Sequence, residues 1–366
     1  MTSFKNEIGK QVLILDGAMG TMVQNLGLTD TAFGGPEFKM LTDLLVFSRP
    51  DDLEGIHLEY LQAGANLIET DTFGASPLRL KEFNFSKFDP SDLKAIPDQL
   101  DMKTCSLESL TLELNIEGCR IAKRAIEKYR AQPDYDGRPL FVAGSIGPSN
   151  YVVSSTEANL NKGTFGQIVE NFYHQVLGLI EGGADVLLIE TQQDILETKA
   201  IITGANKAFA EKKKKLPMIV QATVDVFSKM QIFNTDIHAA YTAVSKMGID
   251  VFGINCNVGP EEMLATVEKL SRFCKHPISV VPNAGQPISE DGQTCYKLSP
   301  EDMANTMEPF VREYGVSIVG GCCGTTPAHI KALREKLNGV VPVPRQPDKK
   351  VYVSGPQEAV PIDPSK

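Results

Sequence analysis

The sequence predicts a (β/α)8 barrel, and three observations lead there. Eight continuous apolar runs recur along the 366 residues, around 12–17, 66–73, 140–147, 186–192, 218–224, 251–257, 278–284 and 316–322. Each has the length of a strand and the unbroken apolar character of one covered on both faces. Amphipathic segments lie between them, such as DDLEGIHLEYLQAG from Asp51, FGQIVENFYHQVLGLIEGG from Phe165 and EEMLATVEKLSRFCK from Glu261, with apolar residues at i, i+3, i+4 and i+7. The junctions also repeat. QAGANLIETDTF from Gln62 and EGGADVLLIETQ from Glu181 are near-copies; KMGIDVFGINCN from Lys246 and EYGVSIVGGCCG from Glu313 follow the same order more loosely. In each, a glycine just past a helical stretch ends it in a left-handed cap, and a buried strand follows. Eight strands alternating with helices favour a closed barrel, with a doubly wound open sheet as the alternative.

Two segments interrupt this rhythm. Residues 84–105, rich in Asp, Lys and Pro, form a long insertion after the second strand, read as a lid or an edge loop. From Val341 onward, VPVPRQPDKKVYVSGPQEAVPIDPSK is Pro-rich and has no helical period. The expected division is therefore a barrel over 1–340 and an extended tail or linker over 341–366.

Composition narrows the function. Hydrophobic residues make up 42% and charged residues 22%, as in ordinary globular proteins. The net charge of −10 argues against nucleic acid or an anionic membrane surface as partner. No apolar run approaches the ~18 residues of a membrane span, and the opening MTSFKNEIGK lacks the apolar core of a secretory signal. Seven cysteines are too few, and odd in number, for a disulfide framework. A reducing cytoplasm is expected, where clustered thiols point to metal or catalysis.

The active end of such a barrel is where the strands finish. Cys256 ends strand six, and the adjacent pair Cys322 and Cys323 ends strand eight, with only strand seven between. Three sulfurs can thus converge on one mouth. Three thiolates suit a soft cation, Zn²⁺ above all, at Zn–S distances near ~2.3 Å. Three protein ligands leave one of four positions free, the arrangement of a catalytic rather than a structural zinc, and no paired CxxC knuckle occurs. The competing interpretation is a buried Cys256 beside an incidental or vicinal-disulfide pair. Cys105, Cys119, Cys274 and Cys295, on a loop or helices, are read as structural. The Asp16–Thr21 turn offers backbone N–H groups, at Gly17, Ala18 and Met19, suited to a carboxylate; it lacks both the GK[ST] ending and the GxGxxG spacing of nucleotide loops. Asp16 and Glu190 end strands one and four and are candidates for holding an ammonium group. Thr70 and Thr72 are weaker candidates, because such hydroxyls often satisfy backbone groups. Asn283 ends strand seven, between the two cysteine-bearing strands.

LDGAMGTM, IETDTFGAS, LLIETQQD, GINCNVGP, VPNAGQP and above all VGGCCGTTPAHI together make the chain, from about residue 10 to 340, resemble the homocysteine S-methyltransferases, and within them the homocysteine-binding module of cobalamin-dependent methionine synthases. The resemblance implies a (β/α)8 barrel, zinc held by Cys256, Cys322 and Cys323, and homocysteine as methyl acceptor. It also implies that Asp16 and Glu190 hold the substrate ammonium and that the Asn283 amide oxygen fills the fourth zinc position when substrate is absent. The chemistry needs the metal: a free thiol with pKa about 8.5 is mostly protonated at neutral pH, whereas a metal-coordinated thiol is deprotonated. No general base is required.

The methyl donor is less legible. Cobalamin modules carry Asp-x-His-x-x-Gly; the nearest string, Asp236-Ile-His238-Ala-Ala-Tyr241, lacks the Gly and lies in a helical run, so His238 is read as a packing or surface residue. The length leaves no room for a second, folate-binding barrel. Methylcobalamin is therefore expected on a partner module or chain, with folate- and cobalamin-binding modules of a methionine synthase as partners. A self-sufficient enzyme using S-methylmethionine or a betaine-type donor is the alternative, although Gly74 stands where the betaine branch is expected to carry an aromatic residue. A non-catalytic zinc or thiol-redox barrel is the alternative of another class.

Overall fold

The computed structural model describes residues 3–94, 96–97, 100–154, 161–290 and 293–362. Eight parallel strands form one sheet: β1 (Leu13–Ile14), β2 (Leu67–Glu69), β3 (Phe141–Ile146), β4 (Val186–Gln192), β5 (Met218–Ala222), β6 (Val251–Asn255), β7 (Ile278–Val281) and β8 (Ile318–Val319). They lie in the order β1-β8-β7-β6-β5-β4-β3-β2. The two ends of that order meet. Leu15 bridges Leu67 in parallel, Asn66 N–H donates to Ile14 O at 2.7 Å, and Asp16 N–H donates to Leu67 O at 3.0 Å. The sheet is a (β/α)8 barrel, and the doubly wound alternative falls away.

A helix follows each strand: α1 (Pro50–Ala63), α2 (Leu107–Arg130), α3 (Phe165–Gly182), α4 (Ile195–Lys212), α5 (Ile237–Val244), α6 (Pro260–Phe273), α7 (Pro300–Arg312) and α8 (Pro327–Lys336). At two of the repeated junctions, Gly64 and Gly183 take φ of 116° and 89° and cap α1 and α3 in the left-handed region, where a Cβ would clash with the backbone. Among the described residues, no helix is long and apolar enough to cross a membrane.

Strand alternation divides the core in two. Leu13, Leu15, Leu67, Phe141, Val186, Leu188, Ile219, Val251, Val281 and Ile318 fill the barrel, while Ile14, Ile68, Val142, Leu187, Val220, Phe252 and Val280 join the outer layer with the helices. Phe4 completes the inner cluster, its ring edge-on to Phe141 at 5.7 Å. Lys5 beside it pairs with Asp250 at 2.6 Å. The amino-terminal segment therefore plugs the bottom of the barrel.

The two segments that broke the rhythm are more tightly held than their composition predicts. In the insertion, Phe85 and Phe88 are buried with ring centroids each 5.3 Å from Phe38, so this part is packed into the outer core and is no free lid; positions 95, 98 and 99 lie outside the described residues. In the tail, Tyr352–Ser354 pairs antiparallel with Ala359–Pro361, and Ser354 Oγ donates to Ala239 O at 2.9 Å. The tail thus carries a hairpin docked on α5; positions 363–366 lie outside the described residues. His238 is a packing residue: its ring stacks on Phe273 at 3.9 Å and meets Tyr352 at 4.3 Å.

Candidate metal centre and substrate pocket

Three loops at the top of β6, β7 and β8 are laced together by their backbones. Cys256 N–H donates to Val281 O at 3.0 Å, Asn283 N–H to Val258 O at 3.0 Å, Cys322 N–H to Pro282 O at 2.8 Å and Ala284 N–H to Cys323 O at 2.9 Å. Cys256 and Asn257 both sit in the left-handed region, with φ of 62° and 70°. For a cysteine that conformation costs about 1–3 kcal/mol, the sort of strain that collects at functional sites. On the other side, Thr325 N–H and Oγ1–H both donate to Cys322 O, at 3.1 and 2.7 Å, closing the turn that carries the cysteine pair. Gly321 is required there, because a Cβ would lie 2.4 Å from Thr325 Oγ1.

The result is a cluster of sulfurs. Cys256 Sγ lies 3.8 Å from Cys323 Sγ, Cys322 Sγ lies 4.0 Å from Cys323 Sγ, and all three are within 4.8 Å of one another. Tetrahedral ligands at about 2.3 Å from zinc stand about 3.8 Å apart, so two of the edges already have the spacing of a shared ion. All seven cysteines are free, the adjacent pair included. Asn283, bracketed by these loops, is buried, and its Oδ1 has no hydrogen-bond partner. A buried acceptor left open beside a soft, three-thiol donor set fits a metal with a vacant position.

Next to the thiols lies a pocket of acids. Asp16 Oδ2 accepts from Glu69 N–H at 2.9 Å, while Asp16 Oδ1 is buried without a partner. Glu190 Oε1 accepts from Ser145 Oγ at 2.6 Å and Oε2 from Asn255 Nδ2 at 3.4 Å. Asn255 is itself locked by Thr191, whose N–H it accepts at 2.8 Å and whose Oγ1 it reaches at 2.9 Å. Burial pushes the Asp16 and Glu69 carboxyls well above the usual range, and the Glu190 charge raises both further. Burial carries Glu190 to about 7 against the hydrogen bond from Ser145, with the Cys323 charge adding to the rise. Such a group of acids is uncomfortable until a cation enters it.

Glu69 was missed in the sequence, although a charged residue at an inward position of an apolar strand was a visible signal. The remaining predicted contacts are placed differently. Thr70 and Thr72 hydroxyls lie 2.7 Å apart; Thr72 donates to Ser145 O at 2.9 Å, and Thr70 accepts from Ser145 N–H at 3.0 Å. Both hydroxyls are spent tying β2 to β3 rather than open to a ligand. Ala18 N–H donates to Thr325 Oγ1 at 3.2 Å, so it too is occupied. Gly17 is needed for packing, since a Cβ would lie 2.8 Å from Thr325 Oγ1 and Tyr60 Cε1. Met19 buries its side chain in the outer core and opens the helix Met19–Asn25, whose first-turn amides have no intrahelical acceptors.

The homocysteine S-methyltransferase family profile matches residues 13–337. The chain belongs to that family. It is a methyltransferase barrel, and the matched span takes in all eight strands, the three thiols and the acid pocket. The methionine synthase of Mycobacterium tuberculosis is 34% identical over 361 residues, covering 99% of this chain and 27% of that protein. The methionine synthase of Mycobacterium leprae is 33% identical over 345 residues, covering 93% and 26% respectively. This methyltransferase chain therefore spans about a quarter of the length of these relatives. Among solved structures, the metallated homocysteine methyltransferase MmuM of Escherichia coli superposes with a TM-score of 0.66 at 22% identity, covering 89% of this chain and 96% of that one. At that identity the likeness speaks for the fold alone.

Proposed function

We propose that this chain is the homocysteine-activating module of a cobalamin-dependent methionine synthase, catalysing zinc-dependent methyl transfer to the thiol of homocysteine to give methionine. The observation that carries the reading is the meeting of three sulfurs within 4.8 Å of one another, beside the buried Asp16 carboxyl, whose Oδ1 has no partner. Cys256, Cys322 and Cys323 would hold the zinc, which when bound supplies the Lewis acidity that keeps the substrate thiol deprotonated at neutral pH.

The other residues bind and orient. Asp16 Oδ1 and Glu190 take the ammonium of homocysteine, with Glu69 adding to the negative field. The Gly17 amide and the first-turn amide of Met19 face the substrate carboxylate, and the Asn283 oxygen guards the open position when the pocket is empty. Ser145 and Asn255 keep Glu190 aimed inward. The interior below is packed with apolar side chains, Phe4 and Phe141 among them, which keep water from approaching from beneath.

The long relatives motivate the rest. A chain spanning a quarter of a methionine synthase fits one module of several, so methylcobalamin and folate belong to partner modules, covalently attached or separate. The barrel over 1–340 is then the catalytic unit, with 341–366 leading toward the next module, and the protein works in the cytoplasm. A methyl-transfer assay with homocysteine and three donors in parallel tests this: methylcobalamin, S-methylmethionine and glycine betaine. Turnover with methylcobalamin and one zinc per chain is expected. Turnover only with either of the others overturns the donor assignment. A Cys322–Cys323 disulfide with no bound metal overturns the whole reading in favour of a redox barrel.

A further inference from the structure

The turns that follow β1 and β8 are stitched to each other across the barrel seam. Gly321 N–H donates to Asp16 O at 3.1 Å, and Gly324 N–H donates to Thr21 Oγ1 at 3.2 Å. Thr325 stands between the two turns. It is fully buried; its hydroxyl donates to Cys322 O at 2.7 Å, and the same oxygen accepts from Ala18 N–H at 3.2 Å. The direction of both bonds is fixed, because an amide N–H only donates, a carbonyl only accepts, and a hydroxyl has one proton to give. Both turns make room for this single oxygen. A Cβ on Gly17 would lie 2.8 Å from it, and a Cβ on Gly321 would lie 2.4 Å from it. Tyr60 also reaches both sides, its hydroxyl 3.3 Å from Ala18 O and 3.4 Å from Thr325 O.

We propose that the Thr325 hydroxyl is a positioning group that couples these two turns, so that filling the amino-acid end of the pocket is transmitted to the Cys322–Cys323 pair. This rests on the substrate reading given above, in which Asp16 takes the ammonium and the amides of Gly17 and Met19 take the carboxylate. The route is short. A carboxylate drawn to those two amides moves Ala18 between them, and Ala18 holds Thr325 by its N–H and Tyr60 by its carbonyl. Thr325 passes the shift to Cys322 O, which belongs to the peptide group joining the two cysteines. That group is rigid and planar, so tilting its carbonyl reorients the backbone of both. Energetic coupling between two sites is carried by contiguous bonds of this kind.

The full chain, reduced and metal-free, tests the idea with L-2-aminobutyrate, which has the amino and carboxyl groups of homocysteine and no sulfur. Calorimetry reads its binding, and iodoacetamide alkylation resolved by mass spectrometry reads the rates at Cys322 and Cys323. In wild type, saturating aminobutyrate should slow alkylation of the pair at least about fivefold, the low end of coupling between sites. Thr325→Val keeps the shape and deletes both hydroxyl bonds. Ala18→Pro deletes the N–H at the other end, at a residue whose φ of −63° proline adopts without strain. Both variants should still bind aminobutyrate, and in both the slowing should vanish; Thr325→Ser should restore it. Unfolding temperatures show which variants are folded, and either of the first two decides the question alone. A ligand that merely shields the thiols slows alkylation equally in wild type and both variants, and that result overturns the coupling while leaving the substrate reading intact. Failure of Thr325→Ser to restore the slowing does the same. If wild type does not bind aminobutyrate at all, the substrate reading falls and the coupling with it.

Discussion

Cys256 Sγ and Cys323 Sγ lie 3.8 Å apart across 67 positions of sequence. No helix or hairpin spans such an interval; the proximity comes from two strands of one barrel separated by β7 and from the backbone lacing above them. A site assembled in this way depends on the whole ring of strands, yet its sulfurs sit at the rim rather than in the core.

Replacing one sulfur should therefore remove the metal and spare the fold. Cys256→Ala, Cys322→Ala and Cys323→Ala are each expected to drop zinc from one per chain to background and to abolish methyl transfer. Unfolding temperatures of the metal-free proteins should stay near wild type. Retained zinc and turnover in any one of them would falsify its assignment as a ligand.

Glu190 sets the expected pH response. Its folded carboxyl titrates near 7, above the ordinary 4.5, so below about pH 7 it is neutral in the empty pocket. The substrate ammonium requires the ionised form. Homocysteine affinity should rise with pH up to about 7 and then level off, measured by calorimetry. Glu190→Gln should bind weakly with zinc retained and show no such rise. Stability moves the opposite way: the folded protein holds a proton that the unfolded chain releases between 4.5 and 7, so this group costs up to about 3 kcal/mol as pH climbs through that window. Thermal unfolding of the free protein at pH 5 and pH 8 should show the loss, and Glu190→Gln should flatten it.

Asn283 has a buried oxygen with nothing to accept from. Asn283→Ala is expected to leave stability within about 1 kcal/mol, because an unsatisfied group is being removed rather than created. Zinc should be stripped by a chelator about tenfold faster without homocysteine and at the wild-type rate with it. Equal stripping rates in both conditions would dismiss the idea that this oxygen serves the metal.

Thr72 is the counter-case. Thr72→Val keeps the shape and deletes two buried hydrogen bonds, so unfolding should come about 1–3 kcal/mol earlier with KM for homocysteine unchanged. A several-fold rise in KM without loss of stability would put the hydroxyl back in contact with substrate.

The barrel was readable because its signals are local: unbroken apolar runs, amphipathic spacers and glycine at the helix ends. The thiols were readable because all three end strands of the one barrel, with only β7 between those two strands. Glu69 escaped because its neighbours Thr70 and Thr72 looked like the polar strand end, and only the inward or outward facing of each residue separates them. The tail's docked hairpin was not legible because proline removes helical pattern without preventing strand pairing.

The seam at which β1 meets β8 has a consequence for biosynthesis. β1, at Leu13 and Ile14, has to wait for Ile318 and Val319 of β8 before its second edge is covered. On the ribosome, most of the barrel will have been translated while this edge still lacks its mate, and Cys322 follows later still. The proposed metal site is thus completed only once the last strand of the barrel has been made, and a nascent chain stalled before that point carries an uncovered strand edge prone to aggregation.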